Sequence, residues 1–135
     1  MFQLKDEIVK TIIENTLTLT EITNEEKESF IKNVYRVFVK NNPRALWLDF
    51  KYKAKAIEYR ESPHKELFRI IPKENEIYFM IDDSNVEYYI YKGNIENIVR
   101  FIDECIGLDE YYIIYDNFTK LIWWDRSWRI TVYWY

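Results

Sequence analysis

The run Tyr111-Tyr112-Ile113-Ile114-Tyr115 carries apolar side chains on both of the faces a β-strand presents. Such a strand cannot sit at a half-solvated surface. It should lie in the interior of a sheet, under a helix or opposite a partner. No wholly apolar run in the chain is longer than the five residues of Tyr111 to Tyr115, far short of the roughly 18 residues that a membrane-spanning helix needs.

The residues around this run supply the rest of a sheet. Period-two alternation of aromatic and β-branched residues predicts strands at 110–116, 119–125 and 128–134, with turns at Asp116-Asn117-Phe118 and Asp125-Arg126-Ser127. In the last of these, Trp128, Ile130, Val132 and Trp134 share one face, and Arg129, Thr131, Tyr133 and Tyr135 share the other. Ile130, Val132 and Trp134 are expected to be core residues. Upstream, the same signal predicts strands at 66–71, 76–82 and 86–92.

One helix interrupts the strands. Gly93 breaks the pattern and Asn94 can cap, while Ile95, Ile98, Val99, Ile102, Cys105 and Ile106 recur at helical spacing up to Gly107. Before residue 60 the periodicity is helical. Leu4, Ile8 and Ile12, with Val9 and Ile13, predict a helix over 3–15. Thr16 to Thr20 alternates Thr with Leu, as a short strand or an extended connector. Thr23 or Asn24 can cap a second helix that buries Phe30, Ile31, Val34, Val37 and Phe38. A third helix is expected from Asn42-Pro43 through Ile57, with Leu46, Trp47, Phe50 and Ala54 on one face. Lys51, Lys53 and Lys55 also alternate as they would on a lysine-protected edge strand, but Ile57 and Glu58 break that alternation. The fold class is therefore α+β. N-terminal helices pack on a mostly antiparallel sheet of about six strands, one helix being inserted between two three-strand meanders.

The chain has 135 residues, 48% of them hydrophobic, which suits a single domain spanning 1–135 with a core of its own. Two glycines exclude phosphate-cradling loops and dinucleotide fingerprints. A lone cysteine cannot form an internal disulfide, and Met1 to Glu7 has no apolar stretch after a basic start. A cytoplasmic location with no membrane association is expected.

Chemistry-bearing residues are sparse. His64 is the only histidine and falls in an expected loop, and Cys105 lies on an apolar helical stripe. Neither makes a catalytic centre, and no metal-ligand spacing or cofactor motif is present. Asp82 and Asp83 end one strand, and Asp116 and Asp125 end others. Strand-end aspartates are ordinary turn residues, yet they can also converge at one sheet edge.

The net charge of −4 is unevenly spread. Residues 32–73 carry eleven basic and four acidic groups, and residues 74–125 carry three basic and twelve acidic ones. Trp123, Trp124, Trp128 and Trp134 cluster with tyrosines in the last 25 residues. An aromatic sheet could stack bases, but a nucleic-acid surface needs Lys and Arg, so the acidic surroundings argue against a nucleic-acid partner. Aromatic residues in an acidic field suit a basic protein partner better.

Beyond Tyr88 the chain reads Tyr89-Ile90-Tyr91-Lys92-Gly93-Asn94-Ile95-Glu96-Asn97-Ile98, followed by Glu104-Cys105, Glu110-Tyr111-Tyr112-Ile113-Ile114 and Leu121-Ile122-Trp123. These stretches resemble a family of small uncharacterised bacterial α+β proteins, a domain of unknown function. The resemblance covers the last third to half of the chain, and it implies strand, helix and hairpin without implying an activity. Where members of that family carry an acidic residue with a histidine after the tryptophan strand, this chain reads Trp124-Asp125-Arg126-Ser127-Trp128. More loosely, small acidic domains of this build resemble toxin-immunity proteins.

The sequence thus points to a non-enzymatic protein-binding module, in the form of an immunity-type inhibitor of a basic toxin. Asp82, Asp83, Glu87, Asp116, Asp125 and Trp128 are the expected partner-binding residues, and no cofactor is expected. The alternative is a small ligand-binding protein or enzyme acting on an anionic small molecule through Lys51, Lys53, Arg126 and Arg129.

Overall fold

The computed structural model describes residues 3–40, 54–58, 63–84, 87–125 and 129–134. In chain order the elements are α1 (Leu4–Glu14), β1 (Thr20–Ile22), α2 (Asn24–Phe38), β2 (Ala54–Glu58), α3 (Pro63–Ile70), β3 (Glu76–Asp83) and β4 (Glu87–Asn94). They continue with α4 (Ile95–Glu104), β5 (Glu110–Tyr115), β6 (Lys120–Asp125) and β7 (Arg129–Trp134). The class is α+β. Among the described residues the strands form one seven-stranded sheet in the order β1-β4-β3-β5-β6-β7-β2, and every pairing is antiparallel.

The doubly apolar strand β5 occupies the middle of that order. Its Tyr111, Ile113 and Tyr115 join a core cluster with Ile8 of α1, Leu67 of α3 and Ile95, Ile98, Val99 and Phe101 of α4. Tyr112 and Ile114 join a second cluster with Phe30, Val34, Val37 and Phe38 of α2. The sheet is therefore covered on both sides, by α1, α3 and α4 on one and by α2 on the other. Full burial of each such side chain contributes about 1.5–3 kcal/mol, so β5 anchors both layers.

Helix α4 begins as its sequence implies. The Asn94 side chain accepts a 3.1 Å hydrogen bond from the Asn97 backbone N–H, which satisfies one of the free donors of the first turn. Phe101 is fully buried on its inner face, whereas Ile106, placed on the apolar stripe by spacing, lies beyond the helix and is 71% exposed. In α1, Ile8 is buried while Ile13 is 70% exposed.

Two elements differ from the sequence expectation. Residues 66–71 belong mostly to helix α3 and not to a strand. Leu67 and Ile71, both buried, are four apart, a spacing that satisfies period two and the helical period alike. Pro63 at the first helical position and the Glu66–Arg69 ion pair one turn apart decide for helix. His64 consequently lies in the first turn of a helix and not in a loop. Residues 54–58 are a strand where a helix was expected, pairing Ile57 with Ile130 and Glu58 with Arg129. A tertiary partner overrides local periodicity there. The remainder of that expected helix, from Asn42-Pro43 through Lys53, lies outside the described residues. The first meander is accordingly a β3–β4 hairpin, and the sheet gains β1 and β2 as its two edges.

Strand β7 is paired on both sides, with β6 and with β2. Ile130 is fully buried and Val132 packs against the same cluster as α4. The Trp134 side chain lies outside the described residues.

Candidate functional site

The strand register gathers acidic residues at one end of the sheet. Asp82 of β3 stands opposite Glu110 of β5, and Glu110 stands opposite Asp125 of β6. Asp82 also stands opposite Tyr88 of β4. Directly opposed residues on neighbouring strands point to the same face, and neighbouring strands lie about 4.8 Å apart. Three carboxyl groups thus line one rung on the side that α2 covers.

Asp82 is only 3% exposed. Glu110 is half-buried, accepts a 2.6 Å hydrogen bond from the Tyr112 hydroxyl, and faces Asp82 across the ladder. Burial pushes the Glu110 carboxyl up from 4.5 to about 7; the Tyr112 hydrogen bond opposes that rise, and the negative charges of Asp82 and Asp125 add to it. Burial raises the Tyr112 hydroxyl above the ordinary tyrosine range, and the Glu110 carboxylate raises it further. Tyr88 is raised likewise, by burial first and then by Tyr35 and Asp82.

The other face of the same end is more open. Asp83 stands opposite Glu87 across the β3–β4 hairpin, and Asp83 accepts a 3.2 Å hydrogen bond from the Tyr89 hydroxyl. Glu87 is exposed and pairs with Lys27 of α2 at 2.7 Å. That hydrogen bond, helped by the Tyr88 backbone N–H, holds the Glu87 carboxyl below its ordinary range against a smaller opposing effect of burial. Lys27 lies over the Tyr89 ring at 5.8 Å, and Lys5 lies over the same ring at 5.2 Å while pairing with Glu21.

Of the residues expected from sequence, Asp82, Asp83, Glu87 and Asp125 therefore share one end of the sheet. Asp116 follows Tyr115, which pairs with Ile77 at the opposite end of β3, so it stands apart from the other four by roughly the length of a strand. Trp128, Lys51, Lys53 and Arg126 lie outside the described residues, and Arg129 is described only through its backbone pairing with Glu58. Glu110, which links the row, was not among the expected residues. Its signal was its place at the start of the doubly apolar strand, where a carboxylate is drawn into the edge of a buried layer.

The aromatic cluster is divided between the two faces. Tyr111 stacks on Trp124 at 5.0 Å on the α4 side, whereas Trp123, Tyr112 and Tyr133 lie on the α2 side. Cys105 sits at the end of α4, and burial pushes its thiol up, away from the reactive thiolate form. Among the described residues no group of His, Cys, Asp and Glu is arranged to hold a metal ion, and no helix is long and apolar enough to cross a membrane.

No curated protein matches the chain. The profile of a family of unknown function matches residues 1–132, nearly the whole length, so the chain belongs to the family of unknown function DUF6756.

Proposed function

We propose that the chain is a non-enzymatic binding module that presents the acidic end of its sheet to a basic protein, in the manner of an immunity-type inhibitor of a cationic toxin. The observation that carries this reading is the gathering of Asp83, Glu87 and Asp125 at one end of the sheet, beside the half-buried rings of Tyr88 and Tyr89. Complementary charge speeds the encounter of two proteins, and partly buried aromatics supply contact area once they meet. Ladder hydrogen bonds hold the backbone at this sheet end, which lowers the ordering cost of docking.

The test is charge reversal. Asp83→Lys, Glu87→Lys and Asp125→Lys together are expected to slow association with a basic partner at least tenfold at low salt and to flatten its salt dependence. An association rate unchanged by all three substitutions overturns the assignment of this surface. Stabilisation of the chain by a nucleotide or sugar phosphate in a thermal-shift screen would instead favour an anionic small ligand.

A further inference from the structure

Two carboxyl groups can join in a hydrogen bond only when one of them carries a proton, because an ionised carboxylate is an acceptor alone. Asp82, only 3% exposed, and Glu110 stand directly opposite each other on β3 and β5, on the same face of the sheet, with Asp125 on the far side of Glu110. We propose that the Asp82–Glu110 pair is a pH-sensitive clasp, holding the β3–β5 end of the sheet closed while Glu110 is protonated and loosening it when Glu110 ionises. The clasp goes beyond the docking role of this end and does not depend on it.

The groups around Glu110 set the direction of the effect. Asp82 faces it from β3, Asp125 from β6 and Tyr112 from its own strand, while Tyr88 of β4 and Tyr35 of α2 extend the network. Ionisation of Glu110 places a second negative charge on a rung where Asp82 is 3% exposed, and like charges directly opposed across a ladder are destabilising. The Tyr112 hydroxyl, 2.6 Å away, softens that repulsion without supplying a positive charge.

The carboxyl of Glu110 is raised in the folded chain from 4.5 to about 7, so the folded state binds the proton more tightly than the unfolded one. The stability it contributes is fully present below the unfolded value, and it is lost as pH rises through the folded value. Above that the effect levels off, since both states are then ionised.

The experiment compares the full chain with Glu110→Gln in denaturant unfolding at a series of pH values, with amide hydrogen exchange at 82–83 and 110–112 measured at each. Between pH 5 and pH 8 the folding constant of the unsubstituted chain is expected to fall about tenfold relative to that of the variant, a figure reduced for the half-exposed position of Glu110. Exchange at those amides should accelerate relative to the variant over the same interval. A ratio of folding constants that stays constant across the interval overturns the proposal. Direct titration of the Glu110 side-chain carbon by NMR needs no variant. A midpoint near 7 supports the clasp, and a midpoint near 4.5 removes it.

Discussion

The hydroxyl of Tyr112 donates a 2.6 Å hydrogen bond to Oε1 of Glu110, two residues earlier on the same strand and the same face. Tyr112 is fully buried, so this bond ties the acidic end of the sheet to the α2 side of the core. It favours the ionised form of Glu110 and opposes the effect of burial. Tyr112→Phe is expected to raise the Glu110 midpoint above about 7 and to cost on the order of 1 kcal/mol at alkaline pH, where the carboxylate would lose a donor. NMR titration of the carboxyl carbon checks the first expectation, and denaturant unfolding checks the second. A midpoint that falls in the variant contradicts both.

Strand β7 is clamped between β6 and β2. Removal of residues 128–135 is expected to abolish cooperative unfolding, because it deletes Ile130 from the core and leaves β2 without its partner. The milder Ile130→Ala should retain the fold and cost about 2–5 kcal/mol. A truncated chain melting within a few degrees of the full chain would show β7 to be peripheral.

Tyr111 packs against Phe79 at 5.3 Å and stacks on Trp124 at 5.0 Å. Tyr111→Ala opens a cavity beneath α4 in the middle of the sheet and is expected to cost about 3–5 kcal/mol. Loss of the near-ultraviolet circular dichroism of the stacked pair should accompany it. An equally stable variant with an unchanged spectrum would be incompatible with the central position of β5.

A methyl group added at Gly93 would meet Cδ2 of Leu19 at 2.6 Å and the backbone oxygen of Thr18 at 3.0 Å. The leucine can swing away, but the carbonyl belongs to the lead-in to β1. Gly93→Ala is therefore expected to cost about 1–3 kcal/mol and to speed amide exchange in Thr20 to Ile22 before any other strand. Uniform exchange across the sheet would show that the strain is spread through the core.

The central and C-terminal strands were legible in the sequence because aromatic and β-branched residues alternate there between clear turns. The run from Tyr111 to Tyr115 placed the middle of the sheet by itself. Residues 66–71 misled because Leu67 and Ile71 fit both periods, and residues 54–58 misled because only pairing with β7 makes them a strand. The site divided along the same line. Strand-end acids were visible, but which of them meet depends on register. Successive turns of a meander lie at opposite ends of a sheet, which separates Asp116, after β5, from Asp125, after β6. Glu110 came into view only through its two long-range partners, Asp82 and Asp125.

The strand order also sets a timetable for synthesis. Both edge strands, β1 and β2, come from the first half of the chain, yet β1 needs β4 and β2 needs β7. Chains emerge from the ribosome at about 5–20 residues per second, so β2 waits several seconds for the strand that covers it. Its Lys55 is the kind of charge that keeps an orphan strand from pairing with a neighbouring nascent chain. A protein built in this order depends on its edges staying unattractive until its middle has arrived.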